Sequence, residues 1–363
     1  MGACLMPAKP TSTPGEILRF LAPLAVWILV LVVLTFTLSS ISPAMSRIVT
    51  DTLIKLVMVT GLYIFIGNSG ILSFGHGAFL IVSAYASAWL TIPPMMKKVI
   101  LPGLPAFLQT VHLDPVLGLL GGIVLAVLLA LVIGIPLMRL SGIAASIATF
   151  AFFVVISVIY NNWTGWTKGT ASLVGLPVYV GPKVALLAAC VALLVAWLFQ
   201  RSSYGLLLRA TREDLVAARA SGIPAERLRL LAFVLSAAVA ALGGALWGHY
   251  NGALTTANNV YLNLSFTIIA MLVVGGVRSL SGMVVGTLAL SLVAEVFRRL
   301  EIGIDVFGQT LVLPGGSREV LLGFCMLLAL ILRPEGLTRG RELSFSKRKS
   351  PPLAATQIVE AAR

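Results

Sequence analysis

Apolar residues run through this chain in long blocks separated by short polar links, and the blocks have the length of membrane-crossing helices rather than of strands. The first, Ile17 to Leu38, is about 22 residues, enough for the roughly 30 Å hydrocarbon core of a bilayer. No small-residue cleavage site of A-x-A type follows it, so it is expected to be a retained span and not a signal peptide. Further apolar blocks run from about Thr52 to Gly67, Phe79 to Leu90, Val116 to Leu137, Gly142 to Tyr160, Val184 to Phe199 and Leu230 to Tyr250. A long block from Ser265 to Phe297 is cut at Gly275-Gly276-Val277-Arg278-Ser279, and a last one runs from Glu319 to Leu332. Each half of the cut block is only about 13 to 16 residues against the ~20 a span needs. Two tilted short spans or a re-entrant pair fit equally. The fold class expected is an all-α polytopic membrane protein with about eight to ten transmembrane helices.

Two features interrupt this pattern within apolar sequence. GNSGILSFGHGAF, Gly67 to Phe79, places Gly67, Gly70, Gly75 and Gly77 where a span should continue. Irregular backbone at membrane depth is tolerated only where protein or a water-filled cavity covers it. Gly67, Gly70, Ser73, Gly75, His76 and Gly77 therefore fit a broken helix beside a substrate path, with the facing Gly275-Gly276 break as its counterpart. A tight turn using small residues for close packing fits as well. His76 alone reads as a hydrogen-bonded structural group before a ligand.

Composition agrees with the pattern: 58% of residues are hydrophobic and 11% charged, with a mean hydropathy of +1.01, beyond a soluble protein's usual ~45–50% apolar content. The net charge of +13 could suggest nucleic acid, but the basic residues lie between spans and in the C-terminal tail. They read as topogenic charge facing membrane lipid, and no nucleic-acid partner is expected. Cys4, Cys190 and Cys325 are too scattered for a disulfide framework or metal site. Lys55, near the start of its span, can snorkel to the interface, and Trp163 and Trp166 sit as interfacial aromatics do.

The one long charged interruption is Arg201 to Arg229, with six arginines against Glu213, Asp214 and Glu226. Thr211 is placed as a helix N-cap with Asp214 three positions on, and Gly222 and Pro224 stop the helix. A helix of about three turns, roughly 15 Å long, is predicted, with small residues at Ala217, Ala218 and Ala220. The Lys and Arg bias of the loops then places this segment and the tail from Arg333 on the cytoplasmic side. Ten crossings put both termini inside, with Arg139 and Arg278. Lys97, Lys98, Arg298 and Arg299 fall outside.

No catalytic set, Walker A pattern or paired His ligands on a helix is present, so no enzyme activity and no metal are expected. The spans also lack the midplane carboxylates of a gradient-coupled transporter; only Asp51 and Glu295 lie near span ends. Transport would be passive or driven by a partner.

Three segments, GLYIFIGNSGILSFGHGAF (61–79), RATREDLVAARASGIPAERLRLLAFVLSAAVAALGGALWG (209–248) and SFTIIAMLVVGGVRSLSGMVVG (265–286), with a closing LLALILRPEGL (327–337), resemble the LivM-type permeases of ATP-binding-cassette importers for branched-chain amino acids. The resemblance implies a cytoplasmic coupling helix that docks on the ATPase, marked by an Ala pair followed by Gly. Here that is Ala217-Ala218 and Gly222, with Arg212, Glu213, Asp214 and Arg219 beside them; where the family often has Glu before the Ala pair, this chain has Val216. It implies ATPase subunits that hold the ATP, so that this chain binds no cofactor itself, a second LivH-type permease and a periplasmic substrate-binding protein. The location implied is the bacterial inner membrane. The organisation expected is a disordered N-terminus (1–15), a permease domain (16–335) containing the coupling loop (201–229), and a basic, disordered tail (336–363). The readings left open are a urea, amide or sugar permease of the same superfamily, a passive channel, and a scaffold in which the loop helix is merely solvated.

Overall fold

The computed structural model describes residues 14–256, 260–306, 309–311, 314, 316–332 and 336–338. The expectations of disorder for 1–15 and 336–363 fall outside these residues, apart from Pro14 and Gly15, which begin α1, and 336–338, which form a turn. Fifteen helices follow in order: α1 (Pro14–Ile41), α2 (Pro43–Ser69), α3 (His76–Thr91), α4 (Pro94–Ile100), α5 (Ala106–Thr110), α6 (Pro115–Leu137), α7 (Gly142–Asn162), α8 (Thr164–Thr167), α9 (Pro182–Arg201), α10 (Ser203–Glu213), α11 (Leu215–Ala220), α12 (Ala225–Asn251), α13 (Val260–Gly275), α14 (Leu280–Ile302) and α15 (Ser317–Leu332). Two short ladders complete the described chain. β1 (Leu173–Val174) pairs antiparallel with β2 (Ala253–Leu254), and β3 (Ile304–Val306) with β4 (Gln309–Leu311).

Seven helices, α1, α2, α6, α7, α9, α12 and α14, are long and apolar enough to cross a membrane. Three helices of 16 residues, α3, α13 and α15, run beside them. The chain is a multi-pass all-α membrane protein. α14 extends through Arg298 and Arg299 to Ile302, 23 residues in all, so the second half of the block cut at Gly275 is longer than its apolar stretch indicates.

The centre consists of α2, α3 and α12, which are buried on most faces beyond the charged first turns of α2 and α12. Hydrocarbon offers no hydrophobic drive between helices, so small residues that let backbones touch hold them together. A Cβ added at Gly61 would lie 2.7 Å from the Ala240 nitrogen, and one at Gly244 2.6 Å from the Leu80 Cα. α6 shows the same device as a stripe: its buried residues Gly118, Gly122, Ala126, Ala130 and Gly134 recur at i, i+4. Leu119, Ile123, Leu129 and Ile133 flank the stripe half-buried, and the opposite face, Val124, Leu128 and Val132 included, is exposed. The indole nitrogen of Trp27 on α1 donates to Ser281 Oγ on α14 at 3.0 Å, tying the first helix to the bundle.

The glycine-rich segment after α2 is shorter than its sequence suggests. α2 continues through Gly67 to Ser69 and α3 begins at His76, so only residues 70–75 are irregular. Lys55 is buried and reaches back one turn to pair with Asp51, toward the start of its helix. Trp163 is partly exposed and stacks on Trp166, ring centroids 4.5 Å apart.

Candidate functional site

The charged segment forms two helices where one was expected. Ser202 caps α10, accepting from the Gly205 nitrogen at 3.1 Å, and α10 runs through Thr211 to Glu213. Thr211 is therefore no cap: it is buried, and its hydroxyl donates to the Leu208 carbonyl at 2.7 Å. The cap is Asp214, extended at φ −147°, whose carboxylate accepts from the nitrogens of Val216 and Ala217 at 2.8 and 3.0 Å. An ionised acceptor at the positive end of a helix outcompetes a hydroxyl for this role. α11 ends where Gly222 turns left-handed, at φ +78°, with the Gly222 and Ile223 nitrogens donating to the carbonyls of Arg219 and Ala218. Its outer face carries Val216, 79% exposed, with Ala217, Ala220 and Arg219; Ala218 faces inward.

Moving the break to Asp214 places Arg212 at the end of α10, and its side chain turns away from solvent. Nη1 donates to the Gly67 carbonyl of α2 at 2.6 Å, and Nε lies 3.7 Å from Glu213. Gly67 is in the last turn of α2, where carbonyls lack helical partners. Arg212 thus caps α2 from another element. Gly70 makes room for it, with a left-handed φ of +72° and a position where a Cβ would sit 2.7 Å from Arg212 Cγ. The turn between α13 and α14 closes the third side: a Cβ on Gly67 would meet the Val277 carbonyl at 2.9 Å. Burial first, and then the nearby charge of Arg278, hold Arg212 below the usual guanidinium pKa, though a guanidinium remains charged at physiological pH.

Gly67, Gly70 and the Gly275–Gly276 turn thus lie at one end of the bundle, while Gly75 and Gly77 lie deeper, against Thr149 on α7 and Ser265 on α13, and the neighbours of these glycines are close. A Cβ at Gly275 would be 2.1 Å from the Gly282 carbonyl, and one at Gly77 2.2 Å from Ser265 Oγ. Gly276 is met at 2.4 Å by a Cβ on Gly336, and Gly75 lies over Thr149. Leu337 donates to the Val274 carbonyl at 2.9 Å, closing the end of α13. His76 is fully enclosed. Its Nε2 is 2.8 Å from Ser236 Oγ, which donates onward to the Phe233 carbonyl, and the rings of Phe65, Phe79 and Phe233 surround it. Ser73 is buried beside this end of α3.

The opposite end of the bundle is open, and α13 divides two spaces there. One, of about 200 Å³, lies between α3, α7 and α13, walled by Ile81, Phe150, Phe153, Val154 and Leu262, with Ser157, Asn161, Thr256 and Tyr261 as its polar groups. The other, of about 600 Å³, lies between α2, α12, α13, α14 and α15 and is charged: Arg47, Asp51, Lys55, Glu295, Arg298 and Glu319 line it. Glu295 holds Arg298 at 2.7 Å and Arg299 at 3.0 Å. Sequence reasoning missed the first space. Ser157 and Asn161, one helical turn apart inside an apolar run, were the available signal.

A family profile described as the permease component of the branched-chain amino acid transport system matches residues 44–330. The chain belongs to this family. The high-affinity branched-chain amino acid transport system permease protein LivM of Escherichia coli K12 is 26% identical over 324 residues, covering 80% of this chain and 69% of that protein. LivM of Salmonella typhimurium LT2 is 25% identical over 334 residues, with the same coverage. The autoinducer 2 import system permease protein LsrC of Salmonella paratyphi B is 29% identical over 191 residues, 50% of this chain and 51% of that one. No solved structure matches the chain. As a permease of this family, the chain is a membrane component of a transport system that includes further subunits.

Proposed function

We propose that this chain is the permease subunit of an ATP-binding-cassette importer that carries branched-chain amino acids inward across the bacterial inner membrane. ATP is bound and hydrolysed by separate ATPase subunits, a LivH-type permease completes the path, and a periplasmic binding protein delivers the solute. α11 is the input: a short capped helix at the Arg-rich end, with a small apolar face turned outward. The observation that carries the reading is the Arg212 bond to the Gly67 carbonyl, because it joins the segment holding α11 to the end of α2 and, through Gly67 and Val277, to the α13–α14 turn. When the ATPase dimer closes on ATP, a displacement of α11 reaches three elements of the bundle at once.

In this reading the Arg212 end is cytoplasmic and the two spaces face outward. Reversing charge with Arg212→Glu and Arg219→Glu is expected to cut leucine uptake at least tenfold and to weaken co-purification of the ATPase; undiminished uptake and co-purification would remove α11 from the coupling role. A second reading, a sugar-type solute, draws on the similarity to LsrC. Uptake of labelled leucine, isoleucine, valine, urea and ribose in cells with and without the gene separates the two and also tests for passive flux.

A further inference from the structure

We propose that the roughly 200 Å³ space between α3, α7 and α13 is this subunit's share of the solute site, taking a small molecule of no net charge with an apolar body and a polar head. The proposal rests on the permease reading, and four observations carry it.

Size comes first: drug-sized ligands occupy pockets of about 300–1,000 Å³, so this space fits something smaller. The lining is also amphipathic: Ile81, Phe153 and Val154 give it apolar walls, and Ser157, Asn161, Thr256 and Tyr261 are its polar groups, interleaved with Val158 and Leu262.

Two of the polar groups, the hydroxyls of Ser157 and Tyr261, are also uncommitted, whereas Thr256 donates to both Asn161 Oδ1 and the Gly169 carbonyl. Hydroxyls in apolar helices ordinarily bond a carbonyl three or four residues back, as Thr60, Ser265, Thr267 and Thr287 do here. Ser157 Oγ and Tyr261 Oη are buried and have no partner, although Tyr261 is only 2% exposed. A buried polar atom left unpaired costs about 1–3 kcal/mol, which a ligand's polar head would relieve. Asn161 accepts from Thr256 Oγ1 through Oδ1 at 3.1 Å, leaving its amide nitrogen as a further donor.

Finally, no charged side chain is among the lining residues. Neutral donors and acceptors suit a zwitterion or an uncharged solute and offer nothing to a net ion. The neighbouring charged space lies on the other side of α13, and there Lys55 is held by Asp51 and Arg298 by Glu295.

The test uses the complete importer in membranes, with the amount of assembled complex measured for each variant. Ser157→Ala and Tyr261→Phe remove only the hydroxyls and are expected to raise the KM of uptake about three- to tenfold each at near-normal maximal rate. Val154→Trp fills the space from its 40% exposed edge and is expected to abolish uptake with the complex assembled. An unchanged KM in both hydroxyl variants overturns the proposal, as does a fall in maximal rate alone, which marks a packing role. Should Val154→Trp fail to assemble, the hydroxyl variants decide. Each variant is assayed with whichever solute the unmodified importer carries, so that a failure of the amino-acid reading, seen in the unmodified protein, is separate from a failure of the site.

Discussion

At the end of the bundle that carries Arg212, backbone meets backbone: Gly275 against Gly282, Gly67 against Val277, Gly276 against Gly336. At the other end α13 is flanked by spaces of about 200 and 600 Å³. The same helix is thus clamped backbone to backbone at its last turn, and at its first it is held by side chains such as Tyr261 against Trp247, with space on either side. Close-packed matter moves as a body, whereas a void can admit a ligand or a new rotamer without moving its walls. A machine that takes force at one end and binds a solute at the other needs this division. The glycines that look like breaks in sequence are points of close backbone packing.

The strongest way to break that contrast is to add side-chain bulk at each end. Gly275→Ala puts a Cβ 2.1 Å from a backbone carbonyl that cannot rotate away, so α13 and α14 must separate. Overpacking costs about 1–3 kcal/mol and sometimes more, and the expected result is a strong loss of assembled protein. Leu262→Phe enlarges a residue at the wall of the smaller space and is expected to leave membrane abundance near normal. Equal abundance for the two variants would mean that the ends are packed alike.

Next in size is the loss of the tie itself. Arg212→Ala leaves the Gly67 carbonyl uncapped within a protein-lined joint; a hydrogen bond to a charged group is worth about 1.5–3 kcal/mol. Leucine uptake is expected to fall at least tenfold while the α11 surface, and so ATPase binding, persists. Arg212→Lys keeps the charge on a stem with different reach and no planar fork, and intermediate uptake is expected. ATPase binding lost in step with uptake would show Arg212 to be part of the docking face instead of the link behind it.

A smaller effect is expected at the cap. Asp214→Ala frees the nitrogens of Val216 and Ala217 and costs about 1 kcal/mol, enough to loosen a six-residue helix. Coupled ATPase activity should decline a few-fold, with Asp214→Asn close to the unmodified protein because the amide oxygen still accepts. Should Asp214→Asn be as impaired as Asp214→Ala, the carboxylate acts by charge on a partner and not as a cap.

Much of the fold was legible because hydrocarbon demands long apolar blocks, and those blocks survive as helices almost residue for residue from α6 to α12. What was not legible depends on partners distant in sequence. Gly67 and Gly77 sit inside helices, and a glycine there has the same appearance whether the helix breaks or a neighbour presses close. Only the approach of Val277 and Ser265 distinguishes the two. Thr211 and Asp214 are both good caps locally; the choice falls to Asp214 because α10 starts early at Ser202 and buries Thr211. Arg212 read as a surface charge, and its target is a carbonyl 145 residues away. Ser157 lay hidden because a serine in an apolar helix normally satisfies itself.

The least of the expected effects concerns Lys97, at the open end, where the contrast can be sharpened through pH. Lys97 is fully buried in α4, after α3, and its ammonium donates to the carbonyls of Leu108 and Val111. Among the described residues no carboxylate forms an ion pair with it. Burial therefore lowers its pKa from the ordinary 10.5 to about 8. A group whose folded pKa lies below its unfolded value binds fewer protons in the folded state, so stability rises with pH between the two values. Below about pH 8 the cost of burying the charge is present in full. Thermal unfolding of the solubilised protein should shift upward between pH 7.5 and 9.5, and the shift should be smaller in Lys97→Met, which keeps the stem and has no charge to lose. The packed end has no counterpart, since Arg212 stays protonated throughout this range. A pH response carried equally by Lys97→Met and the unmodified protein would place its source elsewhere and leave the loop's carbonyls held by an ammonium that remains charged.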